Sequence, residues 1–142
     1  MQKVEDDLVR HRQISNIVFH VFSPILFGMT VYALFRNIPF IDPTRKVFPL
    51  LDLSFPFSWV KFNLPDGLWF YALLSSLIII WGGNSSRQLV AWIVFAISIS
   101  FILELCQGFN LIPGTFDVKD LIANCIASIL CFFLFNRQLQ HQ

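Results

Sequence analysis

The stretch Leu89–Asn110, LVAWIVFAISISFILELCQGFN, carries one charged side chain, Glu104, in a run long enough to cross a bilayer. A membrane-spanning helix needs about 20 mostly apolar residues. Three further runs repeat the pattern. Ile14–Phe35 contains no Asp, Glu, Lys or Arg and centres on IVFHVFSPILFGMTVYALF. Gly67–Ser86 is uncharged around LWFYALLSSLIIIW. Leu121–Asn136, LIANCIASILCFFLFN, reaches spanning length if Val118–Asp120 form its first turn. The sequence therefore predicts a single all-α domain over residues 1–142, a polytopic transmembrane bundle of four helices at about 14–36, 66–83, 88–109 and 118–136.

Composition agrees with this reading. Of the 142 residues 56% are hydrophobic and only 13% are charged, half the charged share of an ordinary soluble domain. Ten Lys and Arg against nine Asp and Glu leave a net charge of +1, which excludes a basic nucleic-acid-binding face and a disordered polyelectrolyte. The first run is too long for the apolar core of a signal peptide, and no A-x-A-like cleavage site follows it, so it reads as a retained helix. Cys106, Cys125 and Cys131 fall inside predicted spans without metal-ligand spacing, and read as small buried apolar residues.

Met1–Gln13 reads as a short polar arm of mixed charge. Between the first two helices lies one long loop, Asn37–Pro65, broken by Pro39, Pro43, Pro49 and Pro56 and rich in aromatics. Leu53, Phe55, Phe57 and Trp59 alternate there with smaller residues, a period of two that sets the large side chains on one side, against lipid or over the bundle. The other connections are short, so helices two, three and four run antiparallel, and four spans put both termini on one side. Lys and Arg divide five and five between the two sides. Arg10 and Arg12 directly before the first helix favour cytoplasmic termini in a multi-pass protein of the cell membrane.

Polar residues within spans are costly and mark partners or purposes. In the third helix Ser100, Glu104 and Gln107 stand at i, i+4 and i+7. In the fourth, Asp117, Asp120, Asn124, Ser128 and Cys131 share one face. Antiparallel geometry brings Glu104, Gln107, Asp117, Asp120 and Asn124 to one membrane surface, together with Asp66 from the start of the second helix. The expected result is an acidic, amide-lined pocket rimmed by Pro113-Gly114-Thr115. Asp66 and Asp117 also have the sequence context of helix N-caps, with Asp120 completing a capping box for Asp117. Capping does not account for Glu104, whose charge opposes the helix dipole at a C-terminus, nor for Asn124 inside a span.

In the first helix Asn16, His20, Ser23, Phe27 and Thr30 form a weaker stripe. Pro24 is expected to kink it, with Ser23 bonding the released carbonyls, and His20 lies nearer the opposite surface from the acids, as a packed or snorkelling residue. No Walker loop, Rossmann glycine pattern, HExxH, CxxC or GxSxG occurs. Acidic oxygens suit a hard cation, but the spacing matches no defined ligand loop, and no metal or cofactor is assigned.

Glu104-Leu-Cys-Gln107, then Gly114-Thr-Phe-Asp-Val-Lys-Asp120 and Asn124, resemble the ExxQ, (G/R)xxD, D and N pattern of VanZ-like membrane proteins, with Leu64–Trp69 (LPDGLW) a looser match. An arginine common in that turn is replaced here by Gly114-Thr115-Phe116. The resemblance implies a small polytopic protein of the bacterial envelope, in a family whose named member is associated with low-level resistance to glycopeptides such as teicoplanin. Three functions follow as expectations. One is a binding protein whose pocket (Asp66, Gln107, Asp117, Asn124 and the two acids) holds a lipid head group or a cation. Another is an intramembrane enzyme on a lipid or lipid-linked substrate, with Glu104 or Asp120 as general base. The third is a small transporter or ion pathway.

Overall fold

A computed structural model describes residues 2–35, 58–81 and 86–139. Among these every regular element is helical: α1 (Gln2–Ile17), a π-helical turn (Val18–Phe22), α2 (Ser23–Phe35), the short α3 (Ser58–Phe62), α4 (Leu64–Trp81), α5 (Ser86–Gly108) and α6 (Val118–Leu139). Four segments are long and apolar enough to cross a membrane: Arg10–Phe35, Leu64–Trp81, Arg87–Gly108 and Val118–Phe135. The fold is the expected four-helix membrane bundle.

Its outside is greasy, as a bilayer requires. Phe19 and Ile129 are each 67% exposed and Phe133 is 71% exposed. Lipid is as apolar as leucine, so helices in a bilayer associate through close packing, and small residues mark the contacts. The central helix, α4, packs on α6, α2 and α5. A Cβ on Gly67 would lie 3.2 Å from that of Ala123, and one on Gly28 would lie 2.6 Å from the Trp69 indole nitrogen, so glycine permits both crossings. Toward the ends of α4 and α6 remote from the acids, the core is larger: Leu74, Ile78, Leu89, Ile93, Ala96, Cys131 and Phe135.

Several boundaries differ from expectation. The supposed polar arm continues the first helix, which is helical from Gln2. The long loop ends earlier, because Ser58–Phe62 make a helical turn between Pro56 and Pro65. Trp59 thus belongs to a helix, while Leu53, Phe55 and Phe57 lie outside the described residues. Pro24 has no N–H to donate, and the chain widens just before it into the π turn. There the Ser23 amide and hydroxyl both bond Val18 O, the hydroxyl at 3.0 Å. The wider turn carries the inward face from His20 to Pro24, Gly28 and Val31. The expected stripe through Ser23, Phe27 and Thr30 therefore faces outward, and Thr30 bonds its own helix at Leu26 O. Of the three free cysteines only Cys131 is buried; Cys106 is half-buried and Cys125 exposed.

Candidate functional site

The end of α5, the start of α6 and the start of α4 meet at one end of the bundle. α5 stops where Asn110 takes the left-handed conformation, φ 56°, while Leu111 N bonds Cys106 O and Asn110 N bonds Gln107 O. These are the two bonds of a Schellman cap with Asn in the glycine position. The chain then turns at Gly114, φ 142°, where a Cβ would lie 2.6 Å from Gln107 Cδ. Gln107 therefore packs against the turn.

α6 opens on Asp117, whose Oδ1 accepts the Lys119 amide at 2.9 Å, the expected N-cap. The reciprocal half of the capping box differs from expectation: the Asp117 amide points at Glu104 Oε2, 3.4 Å away on α5. That leaves Asp120 available for another partner, which is Asn63. The Asn63 amide nitrogen donates to Asp120 Oδ1 at 2.6 Å and to Asp117 Oδ2 at 3.3 Å. Asn63 is only 2% exposed. It also caps α4, since its carbonyl accepts the Gly67 amide at 3.1 Å. Asp66, expected as that cap, instead occupies the first turn of α4.

Asn63 was missed in the sequence, although its signal is present. Proline is well accommodated in a first helical turn, and Asn is among the best N-caps, so Asn63-Leu-Pro65 reads as cap, first and second positions.

The electrostatics are those of crowded like charges with a single bridging amide. Glu104 feels Asp120 and Asp117 as neighbouring negative charges. The Lys119 amide holds the Asp117 carboxyl below its ordinary range. Desolvation, second in size to the Lys119 amide, opposes it, and the Asn63 amide and the Lys119 ammonium add to the lowering. Among the described residues no group of three or more His, Cys, Asp or Glu is placed to hold a metal ion. Asp117 and Asp120 share the Asn63 amide nitrogen, and Glu104 stands beside them at the Asp117 amide.

One turn deeper the two stripes meet again. Asn124 Nδ2 donates to Ser100 Oγ at 2.8 Å, and Ser128 Oγ donates to the Asn124 carbonyl at 2.8 Å. Asn124 Oδ1 is buried with no partner among the described residues. Glu104, Asp120 and Asn124 are thus neighbours in a ladder and do not bond one another directly. Beside the ladder an apolar groove of about 230 Å³ begins at Leu64, Gly67 and Ala123, one turn below Asp120, and runs down to Pro24, Tyr71 and Leu134.

His20 is remote from the acids, as expected, and packs inside the bundle. Its Nδ1 meets the Tyr71 hydroxyl at 2.6 Å, and its ring lies 4.9 Å from that of Phe135. One turn along α4 the buried Ser75 Oγ meets Cys131 Sγ at 3.5 Å. No protein-family model, curated protein or solved structure matches the chain.

Proposed function

We propose that this is a VanZ-like membrane protein of the bacterial envelope that binds an amphiphile carrying a cationic head. The carrying observation is the meeting of Asp117 and Asp120 at Asn63, with Glu104 at the Asp117 amide, directly above an apolar groove. Carboxylates from three positions suit an organic ammonium or guanidinium, whose several N–H donors can each meet one of them. The groove then takes the chain. With cytoplasmic termini the acids face outward, where envelope amphiphiles and glycopeptides are met, and a role in glycopeptide tolerance or envelope maintenance follows.

The test is lipid selectivity in neutral nanodiscs. Spin-labelled lipids with an ammonium head should be motionally restricted by wild-type protein about tenfold more favourably than ones with a hydroxyl head, and Glu104→Gln with Asp120→Asn should erase the preference. Equal restriction of both heads by wild type would refute the reading. In cells, a deletion strain should gain sensitivity to teicoplanin.

A second reading is an intramembrane lipid enzyme. The long 3.4 Å bond to Glu104 favours this acid over Asp120 as its general base, because Asp120 is held by Asn63 at 2.6 Å. Turnover of envelope lipids by purified protein, lost in Glu104→Gln, separates this reading from simple binding.

A further inference from the structure

The groove beneath the carboxylates has a shape that restricts its occupant. It lies between α4 and α6, with the buried Gly67, Ala123 and Ala127 at its back, while Ile126, Leu130 and Leu134 are exposed on the side that meets lipid. A chain therefore enters sideways from the bilayer. Trp59 lines the mouth, and its carbonyl accepts the Asn63 amide at 2.8 Å. One helical turn thus joins the mouth to the side chain that holds Asp117 and Asp120.

The helices set the depth. Both α4 and α6 start at the acidic face, and the lining ends at Tyr71 on one and Leu134 on the other. At about 1.5 Å per residue, Leu64 to Tyr71 covers roughly 10 Å and Ala123 to Leu134 roughly 16 Å. With carbon–carbon bonds of about 1.5 Å an extended chain advances roughly 1.3 Å per carbon, so about 8 to 13 carbons fit that depth. Volume agrees: a cavity of about 150 Å³ takes benzene, which scales to roughly nine carbons in 230 Å³. Over the same depth that volume is a cross-section of roughly 20 Å², the width of one extended alkyl chain. The walls present no polar surface, so the polar chemistry of the occupant is confined to its head.

We infer that the groove is a single-file seat for one unbranched chain of about ten carbons, which makes the amphiphile fatty-acyl in type. An isoprenoid, widened by a methyl branch at every fourth carbon, does not fit. The inference rests on the carboxylate reading above for the head and on the groove alone for the chain.

Two amines test it in nanodiscs, hexadecylamine and 3,7,11,15-tetramethylhexadecylamine, each competing with a spin-labelled ammonium lipid. They share head and chain length and differ in the branches. Wild-type protein should bind the straight chain about fivefold more tightly. Leu130→Ala, at an exposed position, widens the groove and should bring the branched amine to within about twofold of the straight one. Equal binding of the two by wild type, or a preference that Leu130→Ala leaves intact, overturns the inference. Placement is read from straight hexadecylamines carrying a diazirine at the ninth or the fifteenth carbon. The ninth-carbon probe should crosslink to Tyr71, Leu130 or Leu134 about tenfold more than to the lipid-facing Phe133, and the fifteenth-carbon probe, whose label lies beyond the groove, should show no such excess. Labelling of Phe133 as heavy as that of the groove, as when a second copy of the chain fills it, also overturns the inference. The same probes with a hydroxyl head separate the two layers. Groove labelling that is equal for the two heads would keep the chain seat and remove the carboxylate reading.

Discussion

At the middle turns of α4 and α6, His20 meets Tyr71 and Ser75 meets Cys131, each pair crossing one helix interface, with Ser75 and Cys131 completely buried. At the membrane face Asn63, Glu104, Asp117 and Asp120 also cross helix interfaces, but one amide there serves two carboxylates while a third stands beside them. The middle pairs are neutral and mutually satisfied, and that is how interhelical hydrogen bonds hold a bundle together in lipid. The face cluster carries like charges held close, with an orphaned amide oxygen one turn beneath it. Neutral, completed pairs explain themselves as glue. Crowded carboxylates that repel one another do not, and that difference is why the site is assigned to the face.

The largest expected effect comes from removing the piece that makes the face cluster tolerable. Asn63→Leu abolishes two hydrogen bonds to charged acceptors, while its backbone carbonyl still accepts the Gly67 amide, and should cost about 3 kcal/mol in denaturant unfolding from detergent micelles. A loss below about 0.5 kcal/mol would mean that the face is held by other contacts.

Gly28→Ala attacks the middle pairs instead. Its Cβ would meet the Trp69 indole nitrogen at 2.6 Å; with the indole packed between the helices, the expected response is that α2 moves off α4 and carries His20 from Tyr71. Overpacking of this kind costs about 1 to 3 kcal/mol. A parallel loss of helix–helix crosslinking between cysteines placed on α2 and α4 would confirm the movement.

His20→Phe is milder. It keeps the contact with Phe135 and removes one hydrogen bond from the Tyr71 hydroxyl, which retains Ser75, for a cost of about 1 kcal/mol with head-group selectivity unchanged.

The smallest effect is on acid stability. Because the Asp117 carboxyl is depressed in the folded protein, its contribution is fully present above the unfolded value of about 4 and is lost as pH falls through the lower folded value. Asp117→Asn should flatten the unfolding profile in that acid window and leave its shape at neutral pH unchanged. An identical acid limb in the variant would contradict this assignment.

Much of this comparison could be read from the sequence, and the rest was lost for definite reasons. The four spans follow from uncharged runs, and the Glu104 and Asp120 faces follow from helical spacing, because both depend only on local periodicity. Asn63 was hidden by a choice between two caps flanking Pro65, and the cap is decided by where the chain leaves helical geometry. The outward rotation of Ser23, Phe27 and Thr30 was hidden by the π turn, which a uniform 3.6-residue period cannot register. The His20–Tyr71 and Ser75–Cys131 pairs join residues more than fifty positions apart, and such pairings depend on how helices cross.

The contrast between the two regions is tested most directly by measuring spin-labelled ammonium-lipid selectivity and unfolding stability side by side in Glu104→Gln and His20→Phe. Glu104→Gln should lower selectivity about threefold, roughly 0.7 kcal/mol, with stability unchanged or slightly raised, since it removes a charge that opposes the α5 dipole. His20→Phe should do the reverse, losing stability and keeping selectivity. Unaltered selectivity in Glu104→Gln, or its loss in a folded His20→Phe protein, would contradict the assignment of the site to the membrane face.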